Sequence, residues 1–167
     1  MTEPILNQDS NQPILLTKNG FEKLQSELEH LTSVKRPDIA DRIRESQQHG
    51  EFSEDNSELD EVKFEQAMVE TRIAELKNIF SNSVVMDEDS ISTDYVGIAS
   101  LVSVSDQDED DTFELRVVSS VEADPRKNHI SNESPMGMAL LGSNKGQIIT
   151  FMSPDGPKKY QVNSIKR

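Results

Sequence analysis

Cysteine and tryptophan are absent, and aromatic residues make up only 5% of this 167-residue chain. The missing thiols exclude a disulfide scaffold, a thiolate zinc site and a cysteine nucleophile. His30, His49 and His129 are scattered with no pair at ligand spacing, so a histidine-rich metal centre is not expected. Basic residues are scarce as well: 17 Lys+Arg stand against 31 Asp+Glu, a formal net charge of −14. Such a chain repels phosphate backbones, so no independent binding to duplex nucleic acid is expected, and a basic partner or bound cations are suggested instead. No window approaches 18 apolar residues, and the start lacks the basic and apolar stretches of a secretion signal. The expectation is a soluble, cytoplasmic protein without membrane attachment, whose residues 1–13 are a flexible polar tail.

From Thr17 to Phe80 there is one proline, Pro37, and two glycines, Gly20 and Gly50, and apolar residues recur every three or four positions, which predicts helix. Thr17 reads as an N-cap, followed by a stripe of Phe21, Leu24, Leu28, Leu31 and Val34; Pro37 perturbs it, and Ile39 and Ile43 resume it in shifted phase. Leu59, Val62, Gln66, Val69, Ile73, Leu76 and Phe80 form a heptad seam with one polar member. Between the runs lies Gly50-Glu51-Phe52-Ser53-Glu54-Asp55-Asn56-Ser57, rich in residues that end one helix and cap the next. Folded back, the runs form an antiparallel coiled coil with Leu31 near Leu76 and Ile43 near Phe64. At 1.5 Å per residue each arm is roughly 45 Å long, so the tip should project.

A helical hairpin alone could be no more than an oligomerisation coil. The charge at its far end argues otherwise. Residues 51–75 carry nine acids against Lys63 and Arg72, a net −7 that is half the charge of the chain. Acids in the first turn of a helix gain from its dipole, which accounts for Glu54, Asp55 and Glu58 but not for Glu51.

After Asn82 the pattern changes to short β-branched runs at 83–86, 95–104, 112–121, 148–152 and 159–165, which read as strands. The loop 106–111 is acidic but lacks the spacing and glycine of a calcium loop, so it reads as a solvated turn. Ser134-Pro135 should start a short helix over 135–141 that Gly142 stops, and Pro154-Asp155-Gly156 should turn the last strand pair. The fold class is α+β: an N-terminal hairpin over 14–82 with its tip near 50–58, then a small antiparallel sheet with one helix over 83–167.

These residues resemble the bacterial transcript-cleavage factor family GreA/GreB, on its GreA side. The marks are Leu16-Thr17-Lys18-Asn19-Gly20, Arg36-Pro37, His49-Gly50-Glu51-Phe52-Ser53-Glu54, Glu65-Gln66-Ala67 and Arg72-Ile73. They continue with Glu122-Ala123-Asp124, Ile130-Ser131, Ser134-Pro135, Gly137, Ala139-Leu140-Leu141-Gly142 and Pro154-Asp155-Gly156. Each is short, but their order over 150 residues is specific.

The resemblance implies an FKBP-like C-terminal domain that docks on RNA polymerase, with Ser134, Pro135, Gly137 and Asp124 as docking residues, and a monomeric factor whose hairpin enters the polymerase secondary channel. It also implies that Glu51 and Glu54 reach the polymerase active site, where they share its Mg²⁺ and assist cleavage of the backtracked RNA 3′ end; the chain has no cofactor of its own. One or two carboxylates on an exposed tip cannot cage Mg²⁺ alone, so the chain should not be an enzyme by itself. Lys35, Arg36, Arg42, Arg44 and Lys63 are the basic residues that could touch RNA or channel walls.

Three features depart from the family pattern. The tip has one residue more, with Glu54-Asp55-Asn56-Ser57-Glu58 in the place of Glu-Asn-Ala-Glu. Leu59 stands where the family often has Tyr, and Gln47 replaces an Arg three residues before Gly50. Anchoring from Gly50 selects Glu51 and Glu54, whereas anchoring from Leu59 makes Asp55 the second acid. A factor whose altered tip occupies the channel and inhibits without supporting cleavage is the alternative reading.

Overall fold

Short β-forming and long helix-forming segments alternate along the chain, and the computed structural model describes them over residues 12–50 and 57–167. The tip acids Glu51, Glu54 and Asp55, and most of the tail 1–13, lie outside the described residues. Strand β1 is Ile14–Leu16; helix α1, Lys18–His30, passes through a π-helical turn, Leu31–Lys35, into α2, Arg36–Gly50; α3 is Ser57–Ser81. Then come β2 (Ser83–Val85), β3 (Leu101–Asp106), β4 (Thr112–Val118), β5 (His129–Ser131), helix α4 (Pro135–Leu140), β6 (Ile148–Ser153) and β7 (Gly156–Lys166). Two compact units result: Phe21–Asn82, and the described residues up to Gly20 together with Ser83–Arg167. Ile14–Leu16 thus groups with the sheet, because β1 pairs in parallel with β2.

Within the helical unit the arms are antiparallel, with Phe21 and Phe80 edge to face at 5.2 Å. The first arm changes phase at its π turn. Pro37 has no N–H to give to the helix, the Arg36 N–H reaches back five residues to the Leu31 carbonyl, and the Thr32 and Ser33 hydroxyls donate to Leu28 O at 2.8 Å and Glu29 O at 2.6 Å. The turn holds one residue more than an α turn, which rotates everything after it relative to the seam. Val34 is therefore 52% exposed rather than in the stripe, Lys35 is half-buried and Ile39 is buried.

On α3 the buried residues are Val62, Ile73, Leu76 and Ile79. Gln66 is exposed, and the polar place in the seam falls to half-buried Glu65. Phe64 is 69% exposed, so the expected Ile43–Phe64 packing does not form.

The second unit is built on a five-stranded sheet of order β5-β4-β3-β7-β6. All neighbours are antiparallel except β4 and β5, which run parallel. Alternation puts Val102, Val104, Leu115, Val117, Ile149 and Val162 on one face, where Leu140 of α4 joins them. Burying each such side chain contributes about 1.5–3 kcal/mol. Phe113 and Phe151 each meet the ring of Tyr160 edge-on.

The strand expected over 95–104 is only β3. Ala99 sits at φ 72°, a left-handed turn that an extended run cannot contain, and Ser100 Oγ accepts the Gly97 N–H at 2.9 Å inside it. The run 112–121 ends at Val118 because a 3₁₀ turn follows over Ser120–Glu122. The short helix starts as expected: Ser134 Oγ accepts the Gly137 N–H at 3.1 Å and Pro135 opens the first turn.

Candidate functional site

Along the hairpin the two arms are joined by a ladder of arginine–glutamate pairs. Arg36 donates through Nε and Nη2 to both oxygens of Glu70, each at 2.7 Å. Arg42 donates to Glu65 at 2.6 Å, and Lys35 lies 3.7 Å from the same carboxylate. Arg72 grips Glu27 at 2.7 and 3.0 Å. The hydrogen bonds from Arg42 and Arg36 hold the Glu65 and Glu70 carboxyls below their ordinary range, and the guanidinium groups are correspondingly raised. Two of the basic residues singled out as RNA or channel contacts, Arg36 and Arg42, are thus spent on holding the arms together. Arg44 pairs with Asp41 on its own helix. Lys63 forms no ion pair among the described residues, and neither do Glu58 and Asp60 at the start of α3. The far end of the hairpin therefore keeps an uncompensated negative field.

At the other end of α1, Thr17 caps the helix by accepting the Gly20 N–H on Oγ1 at 2.9 Å. The same threonine donates its N–H and its hydroxyl to the Glu122 carboxylate, at 2.8 and 2.5 Å. An anion here also meets the positive end of the helix dipole. Gly20 is required by this contact, since a Cβ would lie 1.7 Å from Glu122 Oε1.

The residues expected to dock a partner are each held by their own loop. Asp124 accepts the Arg126 N–H at 3.1 Å, capping a 3₁₀ turn, and exchanges backbone hydrogen bonds with His129. Ser134 also donates to Ser131 O at 2.7 Å. Gly137 sits so close to that carbonyl that a Cβ would fall 2.0 Å from it. The structure thus brings Ser134, Pro135 and Gly137 together around Ser131, whereas Asp124 belongs to a separate turn.

Among the described residues no three His, Cys, Asp or Glu side chains converge on a metal position. Among the described residues no helix is long and apolar enough to cross a membrane.

Comparison with known proteins decides the family. Residues 14–85 match the family described as Transcription elongation factor, N-terminal, and residues 91–167 match Transcription elongation factor, GreA/GreB, C-term. The chain belongs to the GreA/GreB transcription elongation factor family. Transcription elongation factor GreA of Clostridium kluyveri is 46% identical over 153 residues, covering 92% of this chain and 96% of the relative. That of Clostridium novyi is 46% identical over 158 residues, covering 95% and 98%. Among solved structures, GreA factor homolog 1 of Thermus thermophilus is 30% identical, covers 93% of this chain and 100% of its own, and superimposes with a TM-score of 0.45.

Several of the GreA/GreB marks have folding causes. Leu16-Thr17-Lys18-Asn19-Gly20 and Glu122 are the two sides of one capped helix start, and Ser134-Pro135 with Gly137 is a helix start pressed onto Ser131. Pro154-Asp155-Gly156 makes the β6–β7 turn with Gly156 at φ 121°, a conformation open to glycine. The pairing of Thr17 with Glu122 was not assigned from sequence, because nothing in the spacing of two residues 105 positions apart announces a hydrogen bond.

Proposed function

We propose that this GreA/GreB member binds bacterial RNA polymerase, inserts its acidic hairpin tip into the secondary channel and stimulates cleavage of backtracked RNA, so that arrested complexes resume. The observation that carries this reading is the charge of the hairpin's far end: Glu51, Glu54, Asp55, Glu58, Asp60 and Glu61 stand against Lys63 alone over residues 51–63, with Arg36 and Arg42 of the other arm already committed to Glu70 and Glu65 in the interhelical ladder. Such an end seeks cations held by a partner rather than phosphate.

Glu51 and Glu54 are the carboxylates we assign to that encounter, with Asp55 as a third. A polymerase-held Mg²⁺ would supply charge compensation at the scissile phosphate and a hydroxide from bound water. Glu51 and Glu54 would add carboxylate oxygens to such a weakly held ion. Lys63 and Arg44 are the basic residues most available to RNA or channel walls. Ser134, Pro135, Gly137 and Asp124 are proposed to dock the C-terminal unit. On this reading the factor performs no cleavage alone and activates the polymerase's own reaction.

The test is to add the protein to stalled, backtracked elongation complexes and follow release of short 3′ RNA fragments at neutral pH. No stimulated release refutes the proposal. The extra tip residue favours one other outcome: slowed nucleotide addition together with competition against an active factor would identify an inhibitor instead.

A further inference from the structure

The ladder and the seam account for two sides of α3, and its back remains. Phe64 is 69% exposed and Met68 58%. At about 100° per residue both project from the side turned away from Val62 and Ile73, one turn apart, so their side chains are neighbours. Ser57, Asp60, Thr71 and Glu75 share that side and are all exposed. Asp60 forms no ion pair among the described residues, whereas Glu75 meets Arg72 at 3.3 Å and Glu61, on the flank of the helix, feels the charge of Arg42 from the other arm. A lone exposed apolar residue is ordinary, but a phenylalanine and a methionine one turn apart and bordered by carboxylates combine an apolar anchor with a rule about charge.

We propose that this back face of α3 docks a protein segment that presents an apolar contact flanked by lysine or arginine. The charge excludes the other occupants. A second copy would bring the same carboxylates against these, on a chain already at −14, and a nucleic acid would meet Asp60 and Glu61 with its phosphates. The apolar pair fits a leucine, isoleucine or aromatic side chain, and the carboxylates at the tipward end fit its basic neighbours. That the segment belongs to RNA polymerase rests on the function proposed above.

The experiment compares the full-length protein with the double variant Phe64→Ser/Met68→Ser. Both side chains are exposed, so circular dichroism and Tm should be unchanged. Kd for polymerase should rise at least tenfold, with the factor concentration for half-maximal cleavage rising in parallel and the cleavage rate at saturation unchanged. The conservative variant Phe64→Leu/Met68→Leu should bind like the wild type. A double variant with unchanged Kd overturns the proposal. So does a photocrosslink from p-benzoylphenylalanine at position 64 that joins two copies of this chain instead of reaching a polymerase subunit. Wild-type protein that binds polymerase without stimulating cleavage refutes the proposed function and leaves this binding comparison intact.

Discussion

Single atoms decide the start of α1. Glu122 occupies the space a side chain at position 20 would need, with Oε1 only 1.7 Å from the ideal Cβ position. Gly20→Ala should therefore cost about 1–3 kcal/mol, as overpacking does. In a Glu122→Ala background the obstruction is gone, and the same alanine should stabilise by about 0.5–1 kcal/mol because it lowers the entropy of the unfolded chain. Urea unfolding of the four proteins checks this change of sign; equal costs in both backgrounds would show that the contact does not form. At the tip, Glu54→Ala should reduce stimulated cleavage by about two orders of magnitude, more so with Glu51→Ala, on the scale of removing a group that acts in the transition state. Polymerase affinity should change little, and titration binding distinguishes a chemical role from a docking one.

The helical arms carry the next two expectations. Because the π turn removes Val34 from the seam, Val34→Lys should change stability by less than about 0.5 kcal/mol, whereas Ile39→Ala should cost about 2–4 kcal/mol; thermal melts followed by helical ellipticity measure both. Helix, turn and seam were legible in the spacing of apolar residues, but this change of phase was not. Pro37 announces a perturbation without saying whether the chain answers with a kink, a break or one extra residue. Glu65 escaped for a related reason: Gln66 fits the heptad better on paper, and only the reach of Arg42 and Lys35 from the other arm makes Glu65 the inward residue. Strands β1 and β5 are three residues each, too short to leave a period, and β1 pairs with a segment 69 positions along the chain, Ile14 opposite Ser83.

Acid should test the ladder. Glu65 and Glu70 have folded-state pKa values lowered chiefly by their arginine hydrogen bonds, so the folded hairpin binds their protons less readily than the unfolded chain does. Their contribution is complete above the ordinary glutamate range, about 4.3, and is lost as pH falls through the lowered values. The helical melting temperature should drop over that interval. Replacing both acceptors with Glu65→Gln/Glu70→Gln should flatten the drop.

For the molecule as a whole the governing quantity is −14. If its partner is a basic channel, association should be electrostatically steered. The on-rate for polymerase should then fall several-fold between about 50 and 200 mM salt while the off-rate changes less; stopped-flow binding at several ionic strengths reads this directly. An on-rate indifferent to salt would assign recognition to the apolar face of α3 and the C-terminal unit.

The parallel pairing of β1 with β2 has a further consequence. Ile14 lies opposite Ser83 and Leu16 opposite Val85, so the polypeptide leaves the sheet unit and re-enters it at adjoining points. Everything between them is topologically an inserted loop, whose closure entropy grows by only about 0.6 kcal/mol for each doubling of length. Arms lengthened or shortened by whole heptads, or carrying a different tip, are expected to splice in place of residues 21–82 with little effect on the sheet, so the length of the hairpin and the chemistry at its end can diverge independently of the sheet unit.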